Sequence, residues 1–341
     1  MPGGTPILDV QEQLTRLLVC PACHGSLQWV LFQRRGDRIQ EGKAICEVCR
    51  SDYPVHRGIA VFLTTLPKSE DLWNEADTEI ASFLKGEPER ARRLMEAPLE
   101  SLNPTDQLVR GFVLEARKDF AQAKNALDRA NHGMYTAQFR AASRSQTHYV
   151  KERLAVRPGP VVDLASGMGS LLESLLPDST QQFVGTDVST RVLLRDQEVF
   201  DHFGLGSRLS FLAFDARHTP FADGSLPTLV TNVGLANIEN PGDLLKELRR
   251  VVSGEFLAIT IFYPEEGGPN PETIHRLRLD SLLYRESALR HFDQAGFKVD
   301  VCNPQKATAR PTPRGEIMNE VQPDRLPVSE TEVEWCTLVA C

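Results

Sequence analysis

The chain has 341 residues, 41% of them hydrophobic and 25% charged, with a formal net charge of −8 at pH 7. That length suits two domains with a sizeable core; the acidic balance excludes a basic nucleic-acid footprint over the whole molecule, though not a local patch, and no apolar run approaches the roughly 20 residues of a membrane helix. The opening "MPGGTPILDVQEQLTRLL" lacks a basic flank followed by an apolar block, and the seven cysteines are an odd number, so reduced thiols in a cytoplasm are expected.

Residues 1–66 read as a small β-rich module in which "LQWVLF" and "GIAVFL" alternate with turns. "CPAC" supplies Cys20 and Cys23, "CEVC" supplies Cys46 and Cys49, and 22 residues separate the pairs. Each CxxC turn aims two sulfurs at one point, and two such turns complete a tetrahedron that suits structural zinc. A redox CxxC would need no second copy and would sit in a βαβ pattern that is absent here; disulfides do not fit a reducing compartment. His24 and His56 lie nearby and are read as surface residues. The stretch over about 14–64, with both knuckles, Tyr53, Pro54 and Gly58, resembles the zinc-ribbon proteins that activate tRNA, rRNA and release-factor methyltransferases.

Residues 67–157 read as helical, with 67–145 taken as a connector. Asn103, Pro104 and Asp106 make a helix start, after which Leu108, Phe112, Ala116, Phe120, Ala123 and Leu127 form one apolar stripe. "NHG" at 131–133 should end that helix, and a second should cover 134–156. From about 158 short β-rich runs alternate with helical stretches: "PVVDLA", "QFVGTD", "LSFLAFD", "PTLVTNV", "EFLAITIFY", "FKVDVC" and "EVEWCTLVAC". Such alternation predicts an α/β domain over 146–341, with a mainly parallel sheet and ligands beyond the carboxyl ends of its strands.

In "VVDLASGMGS" an acid ends a buried strand and the next turn is nearly bare, so a ligand can approach the main chain. The dinucleotide fingerprint G-x-G-x-x-G fails here, because Leu172 stands where its third glycine belongs. Asp163, Ala165, Gly167 and Gly169 instead resemble the first motif of the class I S-adenosylmethionine (SAM) methyltransferases, with Ala165 in place of the first glycine. The likeness continues in order over about 146–303. It implies a Rossmann-like seven-stranded sheet whose last strand is antiparallel, with SAM as cofactor. It further implies that Asp163, Ala165, Ser166, Gly167 and Gly169 form the cofactor turn and that Asp187, followed by Val188, holds the ribose. Asp215 with Ala216 would reach the adenine, and Asn232 and Val233 would floor the methionine end.

Methyl transfer from a sulfonium needs alignment and exclusion of water more than acid–base chemistry, so no catalytic residue can be singled out. The histidine of an L-H-H-I stretch is replaced by Ala236 and Asn237, and "NVGL" stands where an N-P-P-Y signature would. The acidic balance and the missing base clamp make an unidentified small-molecule acceptor the expected substrate. RNA or a translation component is the alternative suggested by the ribbon, and a non-catalytic SAM-binding adaptor is a third reading. The long segment over 304–331 is expected to lie over the substrate mouth, where Arg310 and Arg314 could meet an acidic acceptor. Tyr135 and Arg140 could close the other side. Oligomeric state is not legible.

Overall fold

The 22 residues between the cysteine pairs form a hairpin. The computed structural model describes residues 10–36, 38–64, 82 and 85–341; the part of the expected helical connector that falls on 67–81 and 83–84 lies outside them. Helix α1 (Val10–Leu17) precedes β1 (Leu27–Arg35) and β2 (Arg38–Cys46), then β3 (Asp52–His56) and β4 (Ile59–Val61). Antiparallel pairing sets Leu27 opposite Cys46, so the two knuckles meet at one end of the β1–β2 hairpin.

Among the described residues the next helices are α2 (Pro88–Glu96), α3 (Pro104–Ala116), α4 (Phe120–Met134) and α5 (Ala137–Leu154). Asn103 caps α3 as expected, its side chain accepting the Asp106 N–H at 2.9 Å. The single helix expected from 104 to about 130 is instead two. Lys118 takes a left-handed φ of +63°, which ends α3, and the Asp119 side chain accepts the Gln122 N–H to start α4. Gly111 lets α4 come close, because a Cβ there would stand 2.6 Å from Leu127.

All seven strands expected after residue 158 are present. In chain order the remaining elements are β5 (Val161–Asp163), α6 (Ser170–Leu175), β6 (Phe183–Asp187), α7 (Thr190–His202), β7 (Leu209–Ala213), β8 (Leu226–Asn232), α8 (Pro241–Val251), β9 (Val252–Phe262), α9 (Asn270–Arg276), α10 (Asp280–Leu283), α11 (Arg285–Gln294), β10 (Val299–Ala309) and β11 (Thr331–Ala340). The strand order is β7-β6-β5-β8-β9-β11-β10, with β11 antiparallel to both neighbours. Order reverses beside β5, which places a ligand crevice at the carboxyl ends of β5 and β8. One helical layer sets Leu171, Leu172, Leu193 and Phe200 against the sheet, and the other sets Leu244, Leu248 and Phe292.

The sheet does not stop at seven strands. β4 pairs in parallel with β7, matching Ile59 to Phe211 and Val61 to Ala213, and the Phe62 N–H donates to the Ala213 carbonyl at 2.7 Å. Eleven strands result. The ribbon thereby covers an edge that would otherwise offer unpaired backbone groups, and its core residues Tyr53 and Phe62 are continuous with one layer of the α/β domain. Arg38 reaches Asp201 at 3.3 Å and Arg57 reaches Glu198 at 2.7 Å, both on α7.

The insert between β10 and β11 is held down rather than free. Buried Asp106 accepts the N–H groups of Glu316, Ile317 and Met318 at 3.0, 2.9 and 2.9 Å. Arg90 reaches Glu320 at 2.9 Å. The two arginines singled out in the insert have local partners: Arg310 donates to the Gly133 carbonyl at 2.9 Å and Arg314 to Gln322 at 3.3 Å.

Candidate cofactor site and zinc centre

The four knuckle sulfurs lie within 4.8 Å of one another. Cys20 and Cys49 Sγ atoms are 3.6 Å apart, and those of Cys23 and Cys46 are 3.4 Å apart. A tetrahedron of 2.3 Å Zn–S bonds requires sulfur separations of about 3.8 Å, so the set fits zinc, with all four positions taken by protein. Around it Tyr53 Oη approaches Cys20 Sγ at 3.1 Å, and the N–H groups of Val48 and Cys49 donate to Cys46 Sγ. Such outer contacts orient ligands. His56 is bonded to Glu41 at 3.1 Å.

At the carboxyl end of β5 the chain makes the predicted turn. The Ser166 N–H donates to Thr186 and the Gly169 N–H to Ser166. Ala165, Gly167 and Gly169 have φ of +52°, +52° and +68°. Ala165 thus adopts the left-handed conformation that glycine takes without strain, at a cost of about 1 kcal/mol. Packing gives a reason of its own for a bare Gly169: a Cβ would sit 2.8 Å from the Phe200 ring and 3.0 Å from Asp196. Gly169→Ala is therefore expected to destabilise the protein by about 2–4 kcal/mol through strain plus overpacking, read from urea unfolding.

Asp187 faces this turn. Its Oδ2 accepts the Gly167 N–H at 3.1 Å and its Oδ1 the Ser189 N–H at 3.0 Å. Asp215 is gripped by its own neighbour: the Arg217 N–H donates to Oδ1 at 2.9 Å and the guanidinium to Oδ2 at 2.8 Å. Burial would raise Asp215, but these bonds outweigh it and hold the carboxyl below its ordinary range. Val188 and Ala216, each next to its acid, are half-buried. Asn232 Nδ2 lies 3.4 Å from Ser170 Oγ, and Val233 carries φ +58°, a strained setting for a β-branched residue. Tyr135 and Arg140 lie on the helical side, where Tyr135 Oη donates to Asp324.

Asp163 is 1% exposed; it underlies the turn instead of presenting an open carboxylate. Its two oxygens and Ser166 Oγ are buried without hydrogen-bond partners. Unmet acceptors beside a bare turn suit a ligand rich in donors, which SAM supplies through its ammonium, ribose hydroxyls and adenine amine. The sequence reading missed what stands behind the turn. Arg195 donates to the Met168 carbonyl at 2.9 Å, to Asp196 at 2.6 Å and to Glu115 of α3 at 2.9 Å. The only signal was an Arg-Asp pair inside an otherwise amphipathic helix.

Burial, with the charges of Asp196 and Asp187, raises Asp163 well above the ordinary carboxyl range. Burial likewise lifts Asp196 to about 8 against the pull of Arg195. Carboxyls raised in this way hold protons in the folded state that the unfolded chain releases. Their contribution is complete at acid pH and is lost as pH climbs from about 4 toward 8. Stability from urea titrations should fall between pH 5.5 and 8, and Asp163→Asn should make that fall shallower.

A family model for a methyltransferase domain matches residues 162–256, and one for Trm112p-like protein matches residues 11–58. A demethylmenaquinone methyltransferase of Bacteroides fragilis is 26% identical over 146 residues, covering 41% of this chain and 57% of the relative. The ubiquinone/menaquinone biosynthesis C-methyltransferase UbiE of Haemophilus ducreyi is 30% identical over 114 residues, 32% of this chain and 44% of the relative. The biotin biosynthesis bifunctional protein BioHC of Teredinibacter turnerae is 29% identical over 157 residues, 41% of this chain and 26% of the relative. The chain thus spans about half the length of the first two relatives. The strand order, the turn and the four-cysteine cluster agree with those two matches: residues 162–256 carry a methyltransferase domain of the class I SAM-dependent fold, and residues 11–58 a Trm112p-like zinc ribbon in the same chain.

Proposed function

We propose that the protein transfers a methyl group from SAM to a small-molecule acceptor. The observation that carries this reading is the set of polar groups at successive strand ends: the Asp163–Gly169 turn after β5, Asp187 after β6, Asp215 after β7 and Asn232 after β8. In this reading Asp187 accepts the ribose hydroxyls once the ligand displaces the Gly167 N–H from it. Asp215 and the Ala216 backbone meet the adenine, with Val188 beside it. Ala165, Ser166 and Gly167 line the amino-acid end, which Asn232 and Val233 floor, while Asp163 and Gly169 fix the turn from below.

Bound SAM would supply an activated methyl group on a sulfonium. The chain's part is to align an acceptor lone pair with that methyl and to keep water out, which requires no dedicated base for acceptors without a proton to lose. Calorimetry with SAM should give one site per chain. Asp187→Ala should weaken it about 150-fold or more, as expected for losing two charge-assisted hydrogen bonds. Unaltered affinity in the variant would sink the assignment.

The Trm112p-like match favours a second reading, in which the acceptor is RNA or a translation component. The net charge of −8 and the use of β4 to complete a sheet edge argue for the first. Salt-sensitive RNA binding with a slope of several charges would favour the second. Among the described residues no helix is long and apolar enough to cross a membrane.

A further inference from the structure

The 310–330 insert returns one acid to the sheet. Asp324 Oδ2 accepts the Tyr135 hydroxyl at 2.9 Å. Tyr135 stacks on Phe139 at 5.2 Å, and Phe139 meets Trp335 edge-on at 5.1 Å. Tyr263, the first residue after β9, is 9% exposed. Tyr263 shares an apolar cluster with Trp335 and Phe139, and burial followed by the charge of Asp324 pushes both tyrosine phenols well above their usual range. Burial raises Asp324 itself, and the only opposing influence is the Tyr135 hydrogen bond. Among the described residues it has no cationic partner. Trp335 Nε1 is buried with no hydrogen-bond partner.

Asp324 is half-buried, and a carboxylate partly removed from water without a cation is costly unless something balances it. Here its surroundings are aromatic, and π faces attract cations. The position is the one an acceptor needs. β9 lies beside β8, with Asn232 opposite Ile259. Tyr263 stands four residues beyond Ile259, at the end of the sheet that carries the Asp163–Gly169 turn.

We infer that Asp324, with the rings of Tyr135 and Tyr263, binds a cationic amine group carried by the methyl acceptor. This rests on the methyltransferase reading. The carboxylate takes the charge and the rings exclude water and reward a cation over a neutral group of equal size. The insert thus supplies specificity, held in place by Asp106 and joined to the connector through Tyr135.

Saturation-transfer NMR on the full chain tests this with tetramethylammonium chloride and tert-butanol as charged and neutral probes at fixed ionic strength, with S-adenosylhomocysteine affinity measured separately by calorimetry. Tetramethylammonium should bind and tert-butanol should not. Asp324→Asn should weaken the cation about tenfold or more and leave S-adenosylhomocysteine affinity unchanged. Tyr135→Leu, which removes a ring and keeps the acid, should also weaken it, and serves if Asp324→Asn fails to fold. Equal binding of both probes, or cation binding indifferent to both variants, would overturn the inference. Intact S-adenosylhomocysteine binding without any cation response sinks this inference alone; absent S-adenosylhomocysteine binding sinks the methyltransferase reading.

Discussion

Stripping zinc from the folded protein is expected to unfold the β1–β4 module and to destabilise the α/β domain with it. A module of this size buries too little to stand without a cross-link, and structural zinc contributes about 10–16 kcal/mol in small zinc domains. Cys20 and Cys46 are themselves fully buried beside Ala44 and Tyr53, so losing the metal leaves thiols in a core that is continuous with the main domain. Once β4 leaves, β7 becomes an open edge of the sheet, and aggregation follows from unpaired backbone groups. One zinc per chain should be released by a thiol-reactive mercurial. The metal-free protein and Cys23→Ser should both melt at least about 10 °C lower and aggregate, a shift that about 7 kcal/mol produces in a protein of this size, within what the metal contributes. Cys302→Ser is the control, because Cys302 lies on β10 outside the cluster, and it should retain the metal. A melt indifferent to zinc would show that the ribbon is held by its packing alone.

The parts of the molecule that were legible in the sequence are those where local chemistry decides. Buried parallel strands read as apolar runs because both faces are covered, so the segments around Val162, Val184, Leu212 and Val230 stood out. The CxxC turns carry their own geometry. Asp163 and Asp187 could be singled out because each ends such a strand. What escaped depends on long-range pairing. β4 has only three residues, and nothing in "IAV" says that it joins residues 211–213. The break at Lys118 was hidden because Phe120 and Ala123 continue the spacing of the helix before it. Their stripe was also slightly out of phase: Val109, Val113 and Leu114 are the large apolar residues that α3 buries, while Leu108 and Phe112 are half-buried and Ala116 is exposed. Arg195 and Asp196 looked like an ordinary helix surface until Glu115 arrived from α3 and Gly169 from the turn.

Asp106 illustrates the same limit and yields the second large expected effect. From the sequence it is a first-turn acid suited to a helix start. In the fold both of its oxygens are taken by the backbone N–H groups of Glu316, Ile317 and Met318, so the helix acid is the anchor of the insert. Asp106→Asn keeps the shape but offers one acceptor oxygen where two are needed and brings N–H donors against N–H donors. Charge-assisted bonds contribute about 1.5–3 kcal/mol each, and a buried donor left unpaired costs about 1–3 kcal/mol more. A global loss of about 3 kcal/mol would follow if the insert stayed docked. Release of the insert caps that loss, because freed N–H groups recover water. The expected outcome is therefore local: hydrogen exchange over 310–330 rises by two orders of magnitude or more, for about 3 kcal/mol of local stability, and proteolysis cuts there first. SAM affinity should hold, since Asp187 and the Ala165–Gly169 turn are tied to β6 and α7 rather than to the insert. Any response that depends on Asp324 should weaken in parallel, because that residue then no longer stands opposite Tyr135. Protection of 310–330 equal to that of the parent protein would mean that Arg90 and Thr105, which also bond the insert, suffice to hold it.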